Sequence, residues 1–204
     1  MIRNIVIFIF LVSSIGFSEI VNFKADKVVY KMKGIQKITC LGHAVISNTN
    51  ILIKAHKIVI TGKNLDMAKC YKNVFILNYK SDLKLKSQYL EFFKKKDYIR
   101  LLKKPILEVK NLIIKSDSLE RYNKLSLSRV QGNVHIVKTN VDIYCSEGRY
   151  DEKNELIHLR GNPHVKVHKK DTEDQYYSGN IVFDNKRNMI IFSKNTRGIV
   201  YFDE

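Results

Sequence analysis

A nine-residue segment of alternating apolar residues recurs about every thirty positions, and it limits the possible folds more than any other feature of the chain. Its form is apolar-x-apolar-x-(Gly/Lys)-x-apolar-x-apolar. It stands at Ile38-x-Cys40-x-Gly42-x-Ala44-x-Ile46, Ala68-x-Cys70-x-Lys72-x-Val74-x-Ile76 and Ile99-x-Leu101-x-Lys103-x-Pro105-x-Leu107. Two more copies are Ser128-x-Val130-x-Gly132-x-Val134-x-Ile136 and Ile157-x-Leu159-x-Gly161-x-Pro163-x-Val165, and a degenerate sixth begins Ile190-x-Phe192. From Cys40 the second column advances by 30, 31, 29, 29 and 33 residues. Period-two alternation is the pattern of a strand with one buried face. Its recurrence means that each repeat completes its core against its neighbours.

A second column lies between these strands: Ala25, Ala55, Ser87, Ser116, Ser146 and Ser178, every member Ala or Ser. Two residues before it stand Phe23, Ile53, Leu85, Ile114, Tyr144 and Tyr176. Downstream the apolar positions move to odd offsets, as in Ile58/Ile60 and Leu90/Phe92. A change of parity needs an extra residue or a bend, so a bulge or corner is expected at the small residue, where the strand passes from one sheet to the other. Turn residues such as Ser47-Asn48-Thr49-Asn50 and Asp151-Glu152-Lys153-Asn154 separate the strands, and no window has sustained helical periodicity. Pro105 and Pro163 share one repeat column, a place for an edge or a bulge. The expectation is an all-β, open two-sheet jellyroll of about six two-strand repeats, twelve strands in a single domain over 19–204.

The N-terminus reads as a secretory signal peptide, residues 1–18. Arg3 supplies the positive charge, Ile5 to Leu11 and Val12 the apolar core, and Gly16 and Ser18 the small residues for cleavage after Ser18. Counted from Ile5 to Phe17 the apolar run is 13 residues, short of the roughly 20 that span a bilayer, so an uncleaved anchor is the lesser alternative. Thirty-six Lys and Arg against 20 Asp and Glu give a net charge of +16, which attracts phosphates. Export argues against nucleic acid as their source. Lysines outnumber arginines 28 to 8, and the fixed guanidinium fork suits phosphate better, so part of the excess reads as solvated surface.

Cys40 and Cys70 share an inward column one repeat apart, which suggests a disulfide between adjacent strands; two buried thiols are the alternative. Cys145 has the opposite parity and is expected to be free. No C-x-x-C or Cys/His metal spacing occurs, and His164-x-x-x-His168 lies in strand-like alternation, so no metal site and no cofactor are expected.

The chain resembles the OstA/LptA family of lipopolysaccharide-transport proteins, whose repeats carry G-x-V-x-I and then an A-D-x-x-x-Y corner. Gly132-x-Val134-x-Ile136 and Gly42-x-Ala44-x-Ile46 follow the first element, and Ala25-Asp26-x-x-x-Tyr30 the second. Ser116-Asp117 and Ser146-Glu147 keep the small-acidic pair, whereas Ala55-His56 and Ser87-Gln88 lose the acid. The resemblance runs from about Phe23 to the C-terminus. It implies a non-enzymatic periplasmic carrier that shields glycolipid acyl chains between its sheets and passes them toward the outer membrane. It also implies assembly end to end with itself or a homologous jellyroll, and contact with transport machinery at both membranes.

The inward columns make Ile46, Ile76, Leu101, Leu107, Val130, Val134, Ile136, Leu159 and Val165 the expected lipid-binding set, in a trough without polar lining. Lys and Arg outside the trough would face head-group phosphates. Two edges are expected to remain open, near Phe23–Tyr30 and near Gly198–Phe202, where Ile199-Val200-Tyr201-Phe202 is an apolar run. No G-x-S-x-G, H-E-x-x-H or carboxylate pair in an apolar context supports catalysis. The alternatives are an inner-membrane-anchored LptC-like component, a secreted adhesive repeat protein and a β-helix polysaccharide lyase.

Overall fold

The computed structural model describes residues 22–31, 34–62, 64–170 and 172–199. The signal segment 1–18 and the run from Val200 to Phe202 lie outside the described residues. The fold is an all-β, two-sheet jellyroll. The chain divides into two compact units, Met1–Lys96 and Asp97–Glu204.

The first unit is an antiparallel meander of β1 (Asn22–Lys24), β2 (Lys27–Lys31), β3 (Lys37–Ser47), β4 (Ile51–Thr61), β5 (Met67–Asn78) and β6 (Leu83–Phe93). β1 pairs with the second half of β3 and β2 with its first half, so the two are one strand interrupted at Ala25-Asp26. The long strands carry register shifts at the same level, between Leu41 and Ala44, between Lys54 and Lys57 and between Tyr71 and Val74. On either side of that level the ladder continues as two half-sheets.

The second unit repeats the plan. Its strands are β7 (Tyr98–Leu102), β8 (Ile106–Val109), β9 (Leu112–Lys115), β10 (Ser118–Tyr122), β11 (Leu127–Lys138), β12 (Val141–Asp151), β13 (Leu156–Arg160), β14 (His164–His168), β15 (Glu173–Tyr177), β16 (Asn180–Asp184), β17 (Met189–Ser193) and β18 (Arg197–Ile199). One half-sheet runs β7, β10, β11, β12, β13, β16, β17. The other runs β8, β9, β11, β12, β14, β15, β18. β11 and β12 bend through both. Twelve strands were expected and 18 strand elements occur among the described residues, because six of the twelve break where they pass from one half-sheet to the other.

Two features alternate at this level: left-handed pairs on every second strand and the small residues on the strands between. Six consecutive pairs of residues take left-handed backbone: Gly42-His43, Lys72-Asn73, Lys103-Lys104, Gly132-Asn133, Gly161-Asn162 and Lys194-Asn195, with φ between 42° and 78°. They fall on the Gly/Lys column and, within each unit, line up as a crease. The extra residue of the bulge sits here, on the strand facing the small residue, and not at the small residue as the parity argument had it. At β11, Gly132 and Asn133 together face Ser146, between the Gln131–Glu147 and Val134–Cys145 pairs. Glycine and asparagine enter this region most cheaply. The small column leaves room for it: a Cβ at Gly161 would lie 1.7 Å from the Ser146 hydroxyl. Pro105 and Pro163 follow left-handed pairs and need no donor there, while their carbonyls accept the Ser116 and Ser178 N–H at 3.2 Å.

Of the two readings for Cys40 and Cys70, the structure has the buried thiols and not the disulfide; Cys40, Cys70 and Cys145 are free. Cys40 faces Ile58, and Ile58 faces Cys70, so β4 stands between the two cysteine strands. Two ladder spacings are about 9.6 Å, beyond the roughly 7 Å that a disulfide bridges.

Candidate functional site

The inner faces of the half-sheets are the candidate site. In the first unit Cys40, Ile58, Cys70 and Leu90 form a cross-strand row on one half-sheet, and Ile46, Ile53, Ile76 and Leu85 form one on the other. In the second unit Leu101, Leu119, Val130, Gly148, Leu159 and Ile181 align across six strands. The facing half-sheet presents Leu107, Ile114, Ile136, Ile143, Val165 and Tyr176. Of the nine positions expected to face inward, Ile46 is half-buried and the other eight are at most 4% exposed. The small column divides: Ala55, Ser87, Ser116 and Ser178 are buried, Ala25 is half-buried and Ser146 is exposed. Ser178 is tied most heavily, its hydroxyl donating to the carbonyls of Asn180 and Ser193 and accepting the Ser193 N–H.

The interior is not wholly apolar, which corrects the expected lining. Arg121 is buried on the inner face, donating to Ser128, Asn123 and Glu152. An unpaired guanidinium there would be strongly destabilising, so these three acceptors are needed to hold it. Burial also pushes the hydroxyl of nearby Tyr150 up to about 12, with the Glu152 charge adding to it. Lys138 ends the Val134-x-Ile136-x-Lys138 column and reaches across to the other half-sheet. Its ammonium lies 5.1 Å from the centre of the Phe183 ring and donates to the Asn185 carbonyl at 3.2 Å. Beside it Lys110, in the β8–β9 turn, pairs with Glu155 in the β12–β13 turn, and Glu155 also accepts from the Asn185 amide. Lys110 and Lys138 on one half-sheet thus fasten the rim of the other, opposite the crease. The sequence signal for Lys138 was its parity, which continues the apolar column.

The outer face carries a separate polar group. Asp142 accepts from His135 and His168, His168 also meets Glu173, and Glu173 pairs with Lys166. Burial opposes the charge on Asp142, but the hydrogen bonds from the two histidines hold its carboxyl below the usual range. His135 stacks on Tyr144 and His164 on Tyr177. Among the described residues no group of three or more His, Cys, Asp or Glu side chains has a metal-holding arrangement.

No protein-family model and no curated protein matches the sequence. Among solved structures the chain is similar to LptH, the LptA-homologous periplasmic component of the lipopolysaccharide transport device of Pseudomonas aeruginosa, with a TM-score of 0.53. The likeness covers 60% of this chain and 96% of that one at 8% identity. The fold is LptA-like. In this LptA-like fold the crease supplies the bend and the inner columns supply two apolar faces, the same two elements on which the sequence resemblance rests.

Proposed function

We propose that the protein is a non-enzymatic periplasmic carrier that shields the acyl chains of a glycolipid, lipopolysaccharide or a relative of it, between the half-sheets of its jellyroll on the way to the outer membrane. One observation carries this reading: in the second unit the half-sheets are continuous along the crease, whereas side chains fasten the opposite rim. Spreading that rim exposes aliphatic faces without breaking a strand ladder, which suits acyl chains and offers no catalytic groups. The likeness to a lipopolysaccharide-transport component supports the same class of cargo. Edge strands support assembly with another copy or a homologous jellyroll and, through it, with machinery at the two membranes. Among the described residues β2 of the first unit pairs on one side only, with Val29 and Tyr30 exposed, and β17 of the second unit does the same, with Ile191 exposed.

The test is a photo-crosslinking residue introduced at Ile76, Leu107 or Ile136 and, as controls, at the outward positions His56 and Lys166. Lipid captured at the inner positions alone is the expected result. Equal capture at both sets, or none at the inner set in protein shown to be folded, rejects the reading.

A further inference from the structure

On the face away from the inner columns, β11, β12, β13 and β16 wall a depression of about 510 Å³. Arg129, Arg149, Arg160 and His158 stand on its walls, with Glu147 the one carboxylate among them. Arg129 and Arg149 are direct cross-strand partners, and Arg149 is in turn the partner of His158. Like charges placed opposite one another in a ladder are destabilising. Here the offset is partial: the Arg129 guanidinium lies 5.6 Å from the centre of the Tyr122 ring, and Arg160 stands opposite Glu147. None of the three arginines makes an ion pair with a described residue. Glu120, the cross-strand partner of Arg129, accepts instead from the hydroxyls of Tyr98 and Tyr122. Three of the eight arginines of a chain with 28 lysines thus gather in one concavity.

From this we infer that the depression is a phosphate-binding site, its ligand a phosphate ester carried on a sugar or glycerol. The guanidinium forks donate in pairs to phosphate oxygens, which lysine does not do. The volume exceeds what one phosphate fills and leaves room for the group that bears it. Asn180 and Ser193 line one end with neutral hydrogen-bonding groups, while Glu147 disfavours an anion near itself and so orients the ligand toward Arg129 and Arg149. The phosphate source is either a lipid head group or a free phosphate ester. Val130, Gly148, Leu159 and Ile181 of the inner row also line the depression, but its charged residues alternate with them along the strands, so the titration below and the crosslinking at Ile76, Leu107 or Ile136 fail separately.

The test is calorimetric titration of the full chain with glycerol 3-phosphate at constant ionic strength, beside flotation with phosphatidylcholine vesicles with and without phosphatidylglycerol. Arg149→Gln and Arg149→Lys are expected to weaken glycerol 3-phosphate binding about tenfold or more, the second because the fork is lost. Lys124→Gln and Lys153→Gln remove the same charge from exposed turns of the same unit and are expected to leave binding unchanged. Flotation on phosphatidylglycerol that falls with the arginine variants assigns the phosphate to a lipid; flotation that ignores them assigns it to a free ester, and both results support the site. Arg149→Gln without ligand is expected to melt no lower than the parent protein, since it relieves the opposition to Arg129. No saturable binding by the parent protein, equal losses in the lysine variants, or a lowered melting temperature of ligand-free Arg149→Gln overturns the inference.

Discussion

Cys70 sits at 0% exposure in the inner row of the first unit, and burial pushes its thiol up to about 12 with nearby Cys40 adding to the effect. Burial raises Cys40 as well, and takes Cys145 up to about 11. A raised thiol holds less thiolate at a given pH, and the thiolate is the nucleophile. At pH 8 the folded protein is therefore expected to react slowly with a thiol reagent and to release all three thiols at once when unfolded; a count of one after unfolding without reductant would restore the bond between Cys40 and Cys70. The sequence showed that these two cysteines share a column. The two-strand repeat, read from the same sequence, already places the strand of Ile58 between them, so that a neighbour in the repeat is not a neighbour in the ladder. Arg121 escaped notice for a different reason: its inward parity, set by Leu119-x-Arg121, was legible, but the three acceptors that make its burial tolerable come from separate turns and strands.

At the scale of the strand, the crease decides most. Gly132 has φ of +73° and faces the Asp117 carboxylate, whose Oδ2 would lie 2.4 Å from an added Cβ. Gly132→Ala is expected to lower stability by about 1–2 kcal/mol, chiefly through left-handed backbone strain, since the carboxylate can swing aside. Lys72 occupies the same column at φ 59°, and Lys72→Gly is expected to raise stability by about 0.5 kcal/mol, the strain relieved being partly offset by a more flexible unfolded chain. Urea unfolding of the pair reads both signs, and two losses would remove the crease as the explanation. The period and the small residues announced this crease from sequence. Which strand held the extra residue was hidden, because Lys72, Lys103 and Lys194 stand where glycine would have marked the left-handed turn. The edge strands also belong to this scale. A chain ending at Arg197 is expected to associate less than the full chain in sedimentation across a wide concentration range, with identical monomeric behaviour excluding self-assembly through that edge.

Taken over a whole unit, the fastened rim closes the jellyroll on the side opposite the crease. The hydrogen bond from Lys110 holds the Glu155 carboxyl below the usual carboxylate range against a smaller opposing effect of burial. A depressed carboxyl stabilises the fold fully above its unfolded value, about 4.3, and that contribution is lost as the pH falls through the folded value. Acid is therefore expected to loosen the rim, and Lys110→Ala to remove this part of the acid response. At neutral pH the same variant should take up an apolar fluorophore several times faster than the parent protein while Lys124→Ala does not, and equal rates would place entry elsewhere. Of this rim only the inward parity of Lys138 was legible in the sequence, because Lys110, Lys138, Glu155 and Asn185 meet only once two half-sheets face each other. The pairing pattern has a kinetic consequence too. In the registers of either unit no partner lies farther along the chain than Asp184 from Leu156, 28 positions. An all-β chain normally folds slowly because its strands must find distant mates; here each hairpin closes a short loop and waits for nothing synthesised much later. Pulse-labelling hydrogen exchange during refolding should find protection arising in separate hairpins before the cysteine-lined core of the first unit is complete, so the chain can begin to fold while its C-terminal half is still unmade.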